Sequence, residues 1–443
     1  MSRHRFQNDT VSFFPNLPSG WREERIHDVA ELRTSNVDKK SEEGEKPVKL
    51  CNYVDVYKYD RITSDIDFMD ATATDAQIKR FSLRVGDVVI TKDSETPDDI
   101  GVPALVTETF PDLVCGYHLT IVRPSETLIF GGYLLYALAS RLSAYQFYLA
   151  ANGVTRFGLT YQGTKNVRIA FPSVPEQQQI AAFLDWKTGQ IDTLITSKKE
   201  LLEKLKEKRT TAITQTVTQG LNPAVSMRDS GIPWLRQVPQ HWEAMRFGYR
   251  TFIQEGEVDP EDESYYDMLL IAPNHIQSDT GRVIDVTSAR DQAAISGKYL
   301  VRRGDVVYSK IRPHLNKCAL VDFDGLCSAD MYPIRTEQPL VPVFLLYWML
   351  AQPFLDYATE SSMRVAMPKL NRDTLNAAPL VVPPQREQED IVIYLRKITA
   401  SIDSMLEKVG SAIDRLVEYR TALITAATTG KIDVRNVKVP THA

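Results

Sequence analysis

The sequence predicts an α/β chain of the mixed α+β kind, built twice. Two globular domains are each followed by a long helix, and the two helices form an antiparallel coiled coil under pseudo-two-fold symmetry. Three observations predict this. A block from Pro175 to Gly220 returns about 211 positions later, from Pro384 to Gly430. Within it Glu176, Gln177, Ile180, Leu184, Asp192, Arg209, Thr210 and Thr214 match Glu387, Gln388, Ile391, Leu395, Asp403, Arg420, Thr421 and Thr425 without a gap. The region before each block also repeats, and a period this long is a whole domain plus helix rather than a solenoid unit.

The segment before each block opens with Pro-x-x-Trp, Pro18 with Trp21 and Pro239 with Trp242. A strand-like block follows, Arg84-Val85-Gly86-Asp87-Val88-Val89 in the first half and Arg303-Gly304-Asp305-Val306-Val307 in the second. Cys115 and Cys327, Arg123 and Arg335, and Leu134-Leu135-Tyr136 and Leu345-Leu346-Tyr347 come next. Between these anchors the halves diverge, as expected if the middles read different things on one frame. Strands are expected at Val88–Thr91, 104–107, 121–123, Val306–Ser309 and 318–321, and helices at 133–150 and 343–357. The acid-rich or glycine-rich stretches 42–46 and 255–263 read as loops.

Each repeated block reads as one helix. Pro175 and Glu176 are start signals, and Gly220 followed by Leu-Asn-Pro is a stop. The first block holds ~45 residues, or ~68 Å at ~1.5 Å per residue. Its apolar seam is Ile180, Leu184, Ile191, Leu194, Leu201, Leu205 and Ala212, at steps of three and four on average. The second seam is Ile391, Leu395, Ile402, Met405, Ile413, Leu416 and Leu423. Gly189 is a weak point where a bend is expected. The resulting boundaries are 1–172 and 221–382 for the domains, 173–220 and 383–432 for the helices, and 433–443 for a tail.

At 443 residues the chain has room for two or more cores. No apolar run follows the first residues and none approaches a membrane span, so neither a signal peptide nor a membrane segment is expected. Cys51, Cys115, Cys318 and Cys327 show no Cys-x-x-Cys spacing, which predicts reduced thiols, no metal site and a cytoplasmic protein. The net charge of −5 is awkward for a nucleic-acid reader, whose affinity comes largely from phosphate contacts. A DNA surface must then be a local patch, or partner subunits must supply backbone contacts.

The catalytic inventory is mostly empty. There is no phosphate loop, no Gly-rich cofactor loop after a strand, no Asn-Pro-Pro-aromatic tetrapeptide and no metal-nuclease pattern. Binding clusters are present instead. Lys310, Arg312, His314, Asn316 and Lys317 fall in a hairpin loop between two expected strands, and Arg, Lys and Asn are the residues that read base edges. Lys92 and Ser94 occupy the matching place in the first half. Arg156 and Arg364 stand in a second matched pair of loops, suited to a phosphate or to a salt bridge within the domain. On the helices, Arg209 and Arg420 read either as interhelix contacts or as a platform for two copies of a partner, and the platform is the expectation.

The run Pro175-Glu176-Gln177-Gln178-Gln179-Ile180-Ala181-Ala182-Phe183-Leu184-Asp185 begins a segment that continues through Ile191-Asp192, Lys208-Arg209 and Val217-Thr218-Gln219-Gly220-Leu221. Met227-Arg228-Asp229-Ser230-Gly231-Ile232-Pro233-Trp234-Leu235 and Val238-Pro239-Gln240-His241-Trp242 follow it. Together they resemble the DNA-specificity subunit of bacterial and archaeal type I restriction–modification systems, over essentially the whole chain. The second helix start departs from that pattern, with Pro384-Gln385-Arg386 before Glu387-Gln388. The resemblance implies two target-recognition domains, each reading half of a bipartite asymmetric double-stranded DNA site, with the helices as a ruler for the unread spacer. It implies a non-catalytic chain. Two methyltransferase subunits would use S-adenosylmethionine, and restriction subunits would use ATP and magnesium. Trp21, Glu176, Arg209, Trp242, Glu387 and Arg420 are then the expected partner-binding residues. The alternatives are a coiled-coil scaffold that reads no DNA and a fused methyltransferase.

Overall fold

The computed structural model describes residues 12–232, 234–362 and 369–440. It divides into two compact units, Met1–Lys198 with Ala412–Ala443, and Lys199–Ser411.

In the first unit the β-branched run Val88–Thr91 is buried throughout and lies in the middle of a five-stranded sheet. The strand order is Ala30–Thr34, Leu119–Pro124, Val88–Thr91, Pro103–Val106, Arg61–Ile62. A strand buried on both faces has no polar alternation, which is how this run reads. In the second unit the order Thr251–Ile253, Met331–Thr336, Val306–Ser309, Cys318–Leu320 repeats the first four places.

The repeated Gly-Asp explains how each central strand begins. Gly86 and Gly304 have φ of 90° and 92°, a left-handed turn that favours glycine. The following aspartate closes the turn, with Arg84 N–H donating to Asp87 and Arg302 N–H to Asp305, both at 2.9 Å. Each carboxylate then receives a fork from the repeated arginine of the neighbouring strand. Arg123 holds Asp87 through two 2.7 Å bonds, and Arg335 holds Asp305 through two 3.0 Å bonds.

The long helices are Val174–Gln219 and Gln385–Thr428. Gln177 and Gln388, both fully buried, fasten the helix starts in the same way. The Gln177 amide donates to the carbonyls of Leu128 and Pro172 and accepts from Phe130 N–H. The Gln388 amide donates to Pro339 and Pro383 and accepts from Val341 N–H. In each unit the helices run antiparallel. In the first, Asp192 meets Arg420 while Gln179 reaches Val434 and Val437. In the second, Arg209 meets Asp403 while Gly220 lies against Glu387.

Several local expectations are corrected. The helix expected over 133–150 is two, Gly131–Ala139 and Arg141–Ala150. Ser140 between them is extended and its hydroxyl caps the second by accepting from Ser143 N–H. The helix over 343–357 is likewise two, Pro342–Met349 and Gln352–Ser362, the second carrying Pro353 in its first turn. Gly189 marks no break, since the first long helix runs through it. The expected loop 255–263 contains the short strand Glu257–Val258, and Lys46 opens the strand Lys46–Cys51. The seam is also narrower than expected. Ile180, Leu184, Ile191 and Ile195 are buried near one end and Ile213 and Val217 near the other, whereas Leu194, Leu201 and Met405 are exposed. The apolar stripe packs mainly on the domains.

All four cysteines are free and buried. No described helix is long and apolar enough to cross a membrane.

Candidate nucleic-acid interface

In the first unit a short strand Asp93–Ser94 follows the central strand directly and pairs with Phe157–Leu159, which pairs in turn with Ala151–Gly153. This three-stranded ribbon brings Lys92, Ser94 and Arg156 together. Gly153, at φ 148°, sits so close to the Arg156 carbonyl that a Cβ there would collide with backbone, so the hairpin carrying Arg156 requires glycine. Arg156 is exposed and its guanidinium lies 3.4 Å from His118 Nδ1. His118 is paired with Asp93 at 2.6 Å. Arg156, Ser94 and Asp93 line a cleft of about 850 Å³ with Tyr53, Tyr57 and Asp99. Tyr53 and Tyr57 stack at 5.5 Å, and Tyr57 O–H donates to Asp99 at 2.7 Å. Sequence reasoning missed both tyrosines and His118. Their helix and loop are distant from Arg156 in the chain and carry no repeat signal.

In the second unit the basic segment is not a simple solvated hairpin. Pro313–Leu315 forms a 3-10 turn flanked by two left-handed residues, Arg312 at φ 48° and Asn316 at φ 44°. Arg312 and His314 point to the surface and are exposed. Asn316 is only 1% exposed, and among the described residues its amide atoms have no hydrogen-bond partner of good geometry. Lys317 donates to the Pro273 carbonyl at 2.7 Å. Lys310 is only 9% exposed, with Nζ 5.3 Å from the centre of the Tyr332 ring and the Arg372 guanidinium 5.4 Å from the same ring. Burial lowers its pKa, and the nearby charge of Lys369 adds to that. Of the five residues expected to reach base edges, Arg312 and His314 are exposed, whereas Lys310 and Asn316 are buried and Lys317 is half-buried. Alternation of cations along a loop does not reveal which of them fold back. Arg364 lies outside the described residues.

The six residues expected to meet partners occupy different settings. Trp21 Nε1 donates to Glu176 at 3.2 Å, and Glu176 stands in the first turn of its helix. In the second half His241 replaces Gly20 and takes the matching carboxylate, Glu387, at 2.8 Å. Trp242 is buried, and among the described residues its indole N–H has no partner. Arg209 and Arg420 both make interhelix contacts, one of the two readings that the sequence left open. Arg209 donates to Asp403 at 2.9 Å and to the carbonyls of Asp279 and Thr280 at 2.7 and 2.9 Å. Arg420 donates to Asp192 at 2.9 Å and reaches Asp60 at 3.3 Å. The repeated aspartates carried this signal, since Asp192 and Asp403 recur with the arginines.

Among the described residues no group of three or more His, Cys, Asp or Glu side chains is placed to hold a metal ion. What the arrangement offers is an aromatic and mixed-charge cleft in one unit and an exposed cationic turn in the other, each on a strand-framed scaffold.

Comparison with known proteins adds the family. Residues 18–207 and 249–410 match the model of the type I restriction modification DNA specificity domain. The chain is similar to the type I restriction enzyme EcoDI specificity subunit of Escherichia coli, 30% identical over 282 residues. That alignment covers 60% of this chain and 63% of the relative, so it spans less than two thirds of the relative's length. It is also similar to the putative type I restriction enzyme MjaX specificity subunit of Methanocaldococcus jannaschii, 21% identical over 95% of each chain. A solved chain described under complex assembly and conformational transition of the type I R-M system shares the fold. Its TM-score is 0.69 at 17% identity, covering 94% of this chain and 100% of that one.

Proposed function

Because the chain belongs to the type I restriction modification DNA specificity family, we propose that it selects the DNA sequence on which a type I restriction–modification complex acts. One observation carries the reading: the family match occurs twice, over 18–207 and 249–410. Two readers in one polypeptide suit a bipartite, asymmetric site. On this reading the first reader uses Lys92, Ser94 and Arg156, and the second uses Arg312 and His314. The helix pair sets the unread spacer. The chain contributes selection and no chemistry of its own. Two methyltransferase subunits with S-adenosylmethionine, and restriction subunits with ATP and magnesium, carry out modification and cleavage in the cytoplasm. Partner subunits would also supply much of the phosphate contact, which fits a chain of net charge −5.

The test is adenine-methylation mapping in a host carrying this chain with its methyltransferase partner, beside a gel shift of the purified complex on the mapped sequence. One two-part motif, absent when the chain is deleted, is the expected result. Methylation that persists without the chain, or a complex that binds all fragments alike, would leave only a scaffold role.

A further inference from the structure

Arg209 and Arg420 each do more than join two helices. Arg209 binds Asp403 of the opposite helix with Nε, while Nη1 and Nη2 hold the carbonyls of Asp279 and Thr280. Those carbonyls belong to the tip of a tight loop closed by Gln277 N–H donating to Arg282 O at 3.0 Å and by the bridge between Ile276 and Val283. The loop reaches onward. Asp279 N–H donates to the carbonyl of Asn316 at 3.3 Å, and Asn316 ends the turn that carries Arg312 and His314. An unbroken line of polar contacts therefore runs from the helix pair to the exposed cations of the second domain.

The first unit repeats the arrangement with different residues. Arg420 binds Asp192 of the opposite helix and reaches Asp60 at 3.3 Å. Arg61 beside it holds Asp185 of the helix at 2.5 Å, and Asp185 also accepts from Tyr136 O–H at 2.7 Å. Asp60 and Arg61 come one residue after Tyr53–Lys58, the helix whose Tyr53 and Tyr57 line the cleft with Arg156. The two domains share little sequence here. Yet in both the helix arginine grips the loop or corner next to the candidate reading residues.

We propose that Arg209 and Arg420 are positioning residues that fix each reading surface relative to the helix pair, and so set how strictly each half of the DNA site is read. This rests on the reading of Arg312 and Arg156 as DNA contacts. Base contacts demand placement to a fraction of an ångström, so a loop that loses its anchor still binds phosphates but discriminates poorly.

The experiment uses the assembled complex with its methyltransferase partner and compares methylation rates on the true site and on single-base variants of each half. Arg312→Ala first identifies the half read by the second domain. Arg209→Ala should then lower discrimination in that same half about 10-fold, leave the other half within about twofold, and keep affinity for non-specific DNA. Arg420→Ala should do the converse. Asp403→Asn weakens the interhelix pair but leaves the two carbonyl bonds of Arg209, so it should change discrimination less than threefold. Equal loss in both halves, or Asp403→Asn matching Arg209→Ala, would overturn the proposal and leave a purely structural clasp. Arg312→Ala without effect on either half would sink the reading of the loop instead, whatever Arg209→Ala does. If Arg209→Ala fails to assemble, Arg209→Lys, which keeps the charge but not the three-way fork, gives the same comparison.

Discussion

Arg209 and Asp403 pair at 2.9 Å with only 7% and 10% of their side chains exposed, whereas the equivalent Arg420 and Asp192, also at 2.9 Å, are 26% and 47% exposed. The same two residue types, at matched positions on the same two helices, thus sit in different dielectric surroundings. Removing one partner of a buried pair strands the other charge, at a cost of ~3–5 kcal/mol. A pair open to solvent is worth ~0–1 kcal/mol. Asp403→Ala should therefore destabilise the chain by about 3 kcal/mol, and Asp192→Ala by less than about 1 kcal/mol. Thermal unfolding of the complex with each variant measures the difference, and equal shifts would show that the exposure difference carries no energy.

Gln177 and Gln388 each satisfy two carbonyls, one in a buried and one in a part-buried bond, and one part-buried N–H. An unmade buried hydrogen bond costs ~1–3 kcal/mol. Gln388→Ala strands three groups and should cost about 3 kcal/mol or more. Gln388→Glu keeps the shape but cannot donate to the Pro339 and Pro383 carbonyls when ionised, so it should be no better. Limited proteolysis at the domain-to-helix junction, followed over time, should show both variants cut faster than the parent. Protection equal to the parent would mean the clamp is dispensable.

The frame was legible because it repeats. Thirteen identical positions between Glu176–Thr214 and Glu387–Thr425 announce the helices, and Gly-Asp-Val-Val announces each central strand and its turn. Exposure at the candidate site was legible where a residue type and a turn coincide, as at Arg312 and Arg156. That Asn316 and Lys317 turn inward was not legible, because loop side chains fold back to satisfy backbone carbonyls or to fill space, which no spacing rule records. The helix seam misled in a related way. Leu194, Leu201 and Met405 keep helical spacing with the buried residues, yet what a position packs against depends on the domain beside it rather than on the periodicity.

Because each domain carries its own core, the readers should be exchangeable. Replacing residues ~20–170 with the matching region of a relative, between the preserved Pro-x-x-Trp and the helix start, should change one half of the methylated motif and leave the other unaltered. Mapping of modified adenines reads the outcome. A change in both halves would show that the two readers are energetically coupled.

Arg312 offers a separation of folding from recognition. Its φ of 48° is costly for a residue with a Cβ, about 1–2 kcal/mol, and free for glycine. Glycine recovers that strain but loses more chain entropy on folding, by ~0.5–1 kcal/mol. Arg312→Gly should therefore leave stability within about 1 kcal/mol of the parent. The same change removes the exposed guanidinium, whose bidentate base contact is worth ~1–3 kcal/mol. Binding of the complex to its target should fall ~5- to 100-fold, with the loss confined to the true site because the contact is to a base. Titrations on target and on unrelated DNA at one fixed salt concentration decide the matter. A parallel loss on both DNAs would make Arg312 a phosphate contact, and no loss on either would remove the turn from the reading surface.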